Sequence, residues 1–284
     1  MSPAKPPAVH VVTDSTASLP SGDHPALSVV PLHVLVGEEA FFEGVEISPD
    51  DVAHRIGAGE RVTTSQPTPH ALVSAYEAAA RAGARSIVSI HLSGDLSGTV
   101  HAAALAATRS PVPVRVVDSR TVAMGLGFAA LAAADAAAAG ATLDEVARRA
   151  LAVADSSRAI FMVDSLDHLR RGGRLGVAAA TLGTVLGVRP LLAVRDGRIE
   201  VIQKVRTRSA AVDRLIHVAV DSVGRRAEPE LAVHFLGDDA AATEVADRLW
   251  DTTGVRAAVT PVSAVVGAHA GPGVLAIVVA DRAP

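Results

Sequence analysis

The chain has 284 residues, 49% hydrophobic and 20% charged, with 26 Lys and Arg against 30 Asp and Glu. The net charge of −4 argues against a nucleic-acid partner, and the absence of cysteine excludes disulfides, thiol catalysis and Cys-type zinc sites. Aromatic residues make up only 2%, so the core comes from Ala, Val, Leu and Ile, and the length suits two domains of about 140 residues each.

The amino-terminal run MSPAKPPAVHVVTD has no apolar leader core, so a cytoplasmic location is expected. VHVVTDS reads as a strand ending in a polar turn. LSVVPLHVLVG reads as a second extended segment, with Pro31 marking an edge or a bend. Ser48 is placed to cap a helix that Pro49 opens. The run TTSQ, Thr63 to Gln66, reads as a polar loop. Thr68 and Pro69 then cap and open a helix whose Leu72, Val73, Tyr76 and Ala80 share one face. RSIVSIH is a strand, and LSGDLSGT leads into a helix from about Thr99 to Thr108, with Ser97 expected at the N-cap. PVRVVDS is a further strand. GFAALAAADAAAAGATL carries Asp135, is too short to span a membrane and reads as a buried helix. This alternation predicts βαβ units and a parallel sheet up to about residue 155.

The character then changes. RAIFMVDSLDHL is a strand running into a short helix. RPLLAVRDGRIEVIQKV is a hairpin turning at Asp196-Gly197. ELAVHFLG, RAAVTPVSAVV and GVLAIVVAD supply further strands, with helices near 208–223 and 239–252. The stretch from Ala257 to Ala280 has no Asp, Glu, Lys or Arg, but its Gly and Pro residues point to two buried strands and a Gly-Pro turn, not a membrane span. The expected fold is therefore α/β. A parallel-sheet domain (1–155) with flanking helices precedes a mixed-sheet α+β domain (156–284).

Capping at 68 needs only Thr68, which leaves Thr63, Thr64, Ser65 and Gln66 to bond their own backbone or a ligand. A Ser- and Gly-rich loop entering a helix, as at Ser97, presents free N–H groups suited to a carboxylate or phosphate. Both loops are expected at the carboxyl ends of parallel strands, where open α/β sheets bind ligands. Arg174, after Gly172-Gly173, is free to aim a guanidinium at an anion, and Lys204, Arg206 and Arg208 add a basic run. His269 stands beside a Gly-Pro-Gly turn. The nucleophile elbow, the phosphate-binding loop, the dinucleotide fingerprint and H-E-x-x-H are all missing from the sequence.

VVTDSTASLP, TTSQPTP, HLSGDLSGTVHAA, VRVVDSRTVAMGLG, VDSLDHLRRGGRL, GVRPLLAVRDGRIEVIQKVRTRSAA and HAGPGVL occur in that order. As an ordered set over nearly the whole chain they resemble the DegV family of bacterial fatty-acid-binding proteins, whose kinase-coupled members are called FakB. The resemblance implies two α/β domains with one long-chain fatty acid in an apolar tunnel between them. It implies a carboxylate held by Thr64, with Ser65 close by, by Ser97 and by His269. Arg174 and Arg206 would serve phosphoryl transfer or docking of a separate ATP-dependent kinase that makes acyl phosphate. Such a chain is a carrier and not the catalyst. It has no cofactor beyond the bound fatty acid and no nucleic-acid partner, and it makes at most transient contact with a membrane surface. The chain departs from the family pattern at Leu92-Ser93, where two serines are usual, and at Val100, where a bulkier residue is usual. The rival reading is an enzyme acting on a small anionic or phosphorylated substrate, with His269 or Asp14 as its base. A weaker one is a regulatory protein that responds to bound lipid.

Overall fold

A computed structural model describes residues 7–175 and 189–283. Residues 1–6, the Gly176 that closes LRRGGRLG and the Gly187-Val188 that opens GVRPLLAV lie outside the described residues. In chain order the first half contains β1 (Val9–Asp14), a 3-10 turn (Ser15–Ala17), β2 (Leu27–Val30), β3 (His33–Val36), β4 (Glu39–Phe42), α1 (Pro49–Gly57), β5 (Val62–Ser65), α2 (Pro69–Arg81), β6 (Ser86–His91), α3 (Thr99–Ala107), β7 (Val114–Asp118), α4 (Met124–Ala138) and α5 (Leu143–Ser156). The second half contains β8 (Arg158–Met162), α6 (Asp167–Arg171), β9 (Arg189–Arg195), β10 (Arg198–Val205), α7 (Arg208–Val223), β11 (Pro229–Phe235), α8 (Ala240–Thr253), β12 (Ala257–Pro261), α9 (Ala264–Ala270) and β13 (Leu275–Asp281).

The strands form three sheets. The first is parallel throughout, in the order β2-β1-β6-β7. Its strands alternate apolar residues to both faces, as a sheet covered on both sides requires. Val12 and Ile87 pack under α2 and α3, whereas Val11, Val88 and Ile90 pack under α4 and α5. The second sheet is mixed, in the order β10-β9-β8-β13-β11-β12, and only β11 and β12 pair parallel. The α/β class with one parallel and one mixed sheet is therefore present as expected. Helix α4 is buried on nearly its whole circumference. It packs on β1 of the first sheet and on β13 of the second, and its small Ala and Gly side chains permit that close approach on two sides.

The third sheet, β4-β3-β5, is antiparallel, and the sequence pattern did not announce it. Pro31 ends β2 and hands the chain to β3 in this separate sheet, because a residue without an N–H cannot continue a ladder. The run read as a polar loop, Thr63 to Gln66, largely belongs to β5. The Ala257–Ala280 stretch is not two strands and a turn: α9 stands between β12 and β13. Ser263 caps that helix by accepting from Val266 N at 3.2 Å. Among the described residues no helix is long and apolar enough to cross a membrane.

The mixed sheet positions the site through its two faces. Ile160 and Met162 of β8, with Ile277 and Val279 of β13, face α7 and α8. The alternate residues, Ala159, Phe161, Ala276 and Val278, point the other way, into a cavity.

Candidate functional site

Thr64 sits on β5 opposite Val34 of β3, and Ser65 sits opposite His33. The two-residue period of the strand turns Thr64 inward, half-buried, and leaves Thr63 and Ser65 exposed. Helix α9 lies against this strand and carries His269 in its last turn. Thr64 Oγ1 and His269 Nε2 are 2.7 Å apart, although 205 residues separate them in the chain. Burial, and secondly the Arg174 charge, push the His269 imidazole down to a pKa of about 4. The ring is therefore uncharged at neutral pH, with one nitrogen donating and one accepting.

The second loop differs from expectation in its capping. The N-cap of α3 is Gly98 and not Ser97. Backbone bonds from Leu96 N and Ser97 N to the Ser93 carbonyl fold the loop one turn earlier. Ser97 Oγ instead accepts from Thr99 N at 3.3 Å and lies 2.9 Å from Thr99 Oγ1. The Ser93 hydroxyl donates to the Gly197 carbonyl at 2.7 Å and ties the loop to the β9–β10 hairpin, while Leu92 takes the place on the cavity wall. The two polar segments meet at Gln66. A Cβ at position 98 would lie 2.0 Å from Gln66 Oε1, so any larger residue there would push the Gln66 amide aside. Because β5 is an antiparallel edge strand, only the Ser97 loop leaves the carboxyl end of a parallel strand.

Arg174 completes the cluster. Its Nε donates to Leu96 O at 3.0 Å and its Nη1 donates to Gly172 O. It is half-buried and has no carboxylate partner among the described residues. Arg206 does not join it: this residue is exposed beyond the end of β10 and does not line the cavity. Asp14 also stays away from the polar end. It is buried, and it accepts from Leu92 N at 3.0 Å and contacts His91 Nδ1 at 3.0 Å. It is therefore not placed to act as a base on a ligand held by Thr64.

The cavity and the solvent at its mouth together hold about 890 Å³ of non-atom space. Thr64, Ser65, Gln66, Ser97, Arg174 and His269 form its polar end. The remaining wall is aliphatic except for Phe161 and Thr16, with Val194 and Ile199 supplied by the β9–β10 hairpin. Thr64, Arg174 and His269 also line a polar recess of about 1130 Å³ on the outer side, together with Arg61, His168 and Arg171. These three residues thus form a partition between an apolar chamber and solvent. Sequence reasoning missed Thr16 as a wall residue and left Gln66 undecided between its own backbone and a ligand. Gln66 stood inside the TTSQ run, but nothing in its spacing separated an amide facing a ligand from one facing water.

Chemically, the polar end offers hydroxyls, a neutral imidazole and a guanidinium lacking a counter-charge, a set suited to a carboxylate. Among the described residues no group of three or more His, Asp or Glu side chains is placed to hold a metal ion.

The family model described as uncharacterised protein, DegV family, matches residues 8–282. A DegV domain-containing protein of Streptomyces coelicolor is 48% identical over 96% of this chain and 99% of its own length. Among solved structures, a DegV family protein from Thermus thermophilus, described by its fatty acid binding, superposes with a TM-score of 0.89 at 31% identity, covering 96% of this chain and 99% of that one. DegV of Bacillus subtilis, described as a fatty acid binding protein, gives 0.88 at 31% identity, with 97% and 99% covered. The likeness thus runs along nearly the whole length of this chain and of these relatives, and the chain belongs to the DegV family.

Proposed function

We propose that this protein binds one long-chain fatty acid, with the acyl chain in the apolar cavity and the carboxylate held by Thr64, Ser65, Ser97 and His269. One observation carries the reading. A half-buried guanidinium without a counter-charge, three hydroxyls and a neutral imidazole converge at one end of a chamber that is otherwise largely aliphatic. A carboxylate supplies the missing charge, and an alkyl chain fills the space. About fourteen buried methylenes at roughly 0.8 kcal/mol each give a gross gain on the order of 11 kcal/mol, before the entropy of immobilising the chain. The fatty-acid binding of the Thermus and Bacillus relatives supports the same assignment. The cavity draws walls from both the 1–155 and the 156–284 parts of the chain, which fits a ligand between two domains.

The protein acts as a carrier. A separate ATP-dependent kinase approaches from the recess beside Arg171 and Arg174, and Arg206 contributes to its docking. A carboxylate oxygen attacks the terminal phosphorus of ATP, the new O–P bond replaces the bond to ADP, and acyl phosphate results. Loading and release involve transient contact with a membrane surface. Native mass spectrometry of the purified protein tests the binding step, with palmitate uptake after mild delipidation as the second measurement. The expected result is one acyl chain per protein. No bound mass and no uptake of palmitate or oleate would refute the reading. Hydrolysis of a phosphate ester by the protein alone would favour the enzyme alternative.

A further inference from the structure

Resting on the fatty-acid reading above, we infer that Glu43, through the Asp14-Ser15-Thr16 turn, is the residue that positions both halves of the carboxylate clamp. Glu43 follows β4, is 5% exposed and has no cationic partner among the described residues. Burial, opposed by its hydrogen bonds, holds its carboxyl above the usual range. Carrying such a group into an interior is costly unless its hydrogen bonds serve some end.

Those bonds reach the first turn of α9 on one side. Glu43 Oε1 accepts from Val265 N at 2.8 Å. Val265 and His269 are four residues apart and lie on the same face of the helix. The seven-residue α9 is about 10 Å long and moves as one piece, so holding its start fixes where His269 meets Thr64. On the other side Glu43 Oε2 accepts from Ser15 Oγ. Ser15 Oγ in turn accepts from Leu32 N at 3.0 Å, and Leu32 O accepts from Glu43 N at 3.0 Å. Leu32 leads directly into β3, which pairs with β5 and hence with Thr64.

The adjacent residue of the turn serves the other loop. Asp14 Oδ2 accepts from Leu92 N at 3.0 Å, where the chain leaves β6 for Ser97. Asp14 is itself fixed by a buried series. His91 Nδ1 lies 3.0 Å away, His91 Nε2 meets Ser89 Oγ at 2.8 Å, and Ser89 Oγ meets Tyr76 Oη at 2.8 Å. Thr16 Oγ1 donates to Asp14 Oδ1, and Thr16 faces the cavity. The TDST run thus contributes no carboxylate contact of its own. It joins the Ser97 loop to Glu43 and so to the Thr64 strand and the His269 helix.

The test is a double-mutant cycle on delipidated full-length protein, with palmitate and hexadecanol as probes. Glu43→Ala is expected to weaken palmitate about tenfold, the loss of one charge-assisted hydrogen bond, and to change hexadecanol by less than about twofold, because the alcohol carries no anion. In a His269→Ala background, Glu43→Ala is expected to add clearly less than the roughly tenfold it costs alone, because only the half of the clamp formed by Thr64 and Ser97 is left to misplace. Glu43→Gln, which keeps an acceptor for Val265 N, is expected to restore most of the affinity. Ser15→Ala is the second variant and decides the matter if Glu43→Ala does not fold: it should weaken palmitate selectively. Equal weakening of both probes, or full additivity with His269→Ala, would overturn the positioning role. Failure of the wild-type protein to bind palmitate would overturn the function reading instead.

Discussion

Gly172→Ala changes the clamp without removing any of its functional groups. Gly172 follows α6 at φ −73° and ψ −11°, a conformation that alanine adopts freely. A Cβ there would stand 2.2 Å from His269 Nδ1 and 2.9 Å from its Cε1. Contact must open from 2.2 Å to at least about 3.4 Å, so the ring retreats by about 1.2 Å. A shift of that size breaks the 2.7 Å contact with Thr64 and withdraws the imidazole from the carboxylate. A hydrogen bond to a charged group contributes about 1.5–3 kcal/mol, so the palmitate Kd should rise about 10- to 100-fold. Gly173→Ala is the counterpart. It has φ +69° and no atom within 4 Å of a new Cβ, so it strains the backbone by about 1–2 kcal/mol and leaves His269 in place. Calorimetric titration of delipidated protein, paired with thermal melts, separates the two effects. Gly172→Ala should lose affinity with little change in Tm, and Gly173→Ala should lose Tm with little change in affinity. A wild-type Kd for Gly172→Ala, or equal weakening by both variants, would refute the placement of His269.

Thr64→Val keeps the volume and removes the hydroxyl. Palmitate binding should weaken by about 1 kcal/mol, or roughly fivefold, with hexadecanol affected less in a displacement assay. Arg174→Gln removes the charge that helps depress His269. The ring should titrate above its present value of about 4, as followed by the NMR shifts of its protons. His234 and His269 both titrate near 4 in the folded chain, mainly through burial, against 6.5 for a free imidazole. The unfolded chain therefore takes up protons first as pH falls. Stability is complete above about pH 6.5 and declines toward pH 4, by about 2 kcal/mol per histidine at pH 5. Urea denaturation at pH 7 and pH 5 reads this decline. Bound palmitate should shrink it, because a carboxylate beside His269 favours the charged ring, and an identical pH dependence with and without ligand would count against the clamp.

Most of the architecture was legible because its signals are local. Val-rich runs, the Asp196-Gly197 turn and the Ser48 and Thr68 caps each follow from a few neighbouring residues. The failures fall where pairing partners are distant. TTSQ reads as a loop because three hydroxyl residues and an amide give a weak strand pattern. Only the β3 edge, with Val34 opposite Thr64, makes it a strand. SAVV reads as the end of a strand and GAHA as part of a Gly-rich turn, yet Ser263 caps the run and it packs against β5 as a helix. Ser97 has an N-cap's composition, but the chain turns one residue later because Ser93 O already gathers two N–H groups. Thr64, Ser97 and His269 emerged through the ordered motifs that resemble the family. No local pattern ties a residue at 64 to one at 269. Arg206, which the resemblance implies as a partner contact, does not line the cavity, and no local pattern marks such a role.

If the polar end holds a carboxylate as proposed, the charge distribution explains why the clamp uses hydroxyls and a neutral ring. Among the described residues Arg174 has no acid to balance it, and its charge helps keep His269 unprotonated. An Asp or Glu at the polar end would neutralise Arg174 and repel the incoming carboxylate. A second fixed cation would hold the anion more firmly but would add to the burial cost of the empty site. Donors without charge avoid both. They orient the carboxylate, leave one guanidinium to attract it, and keep its outer edge against the recess lined by Arg171 and His168. On the fatty-acid reading, the aliphatic wall contributes binding for any alkyl chain of suitable length, whereas the polar partition is what would select for an acid and present it outward. On that reading, affinity and hand-over reside in different residues. Substitutions in the partition should alter which lipid is accepted and delivered, and substitutions at Phe161 or Val278 should alter how long a chain fits.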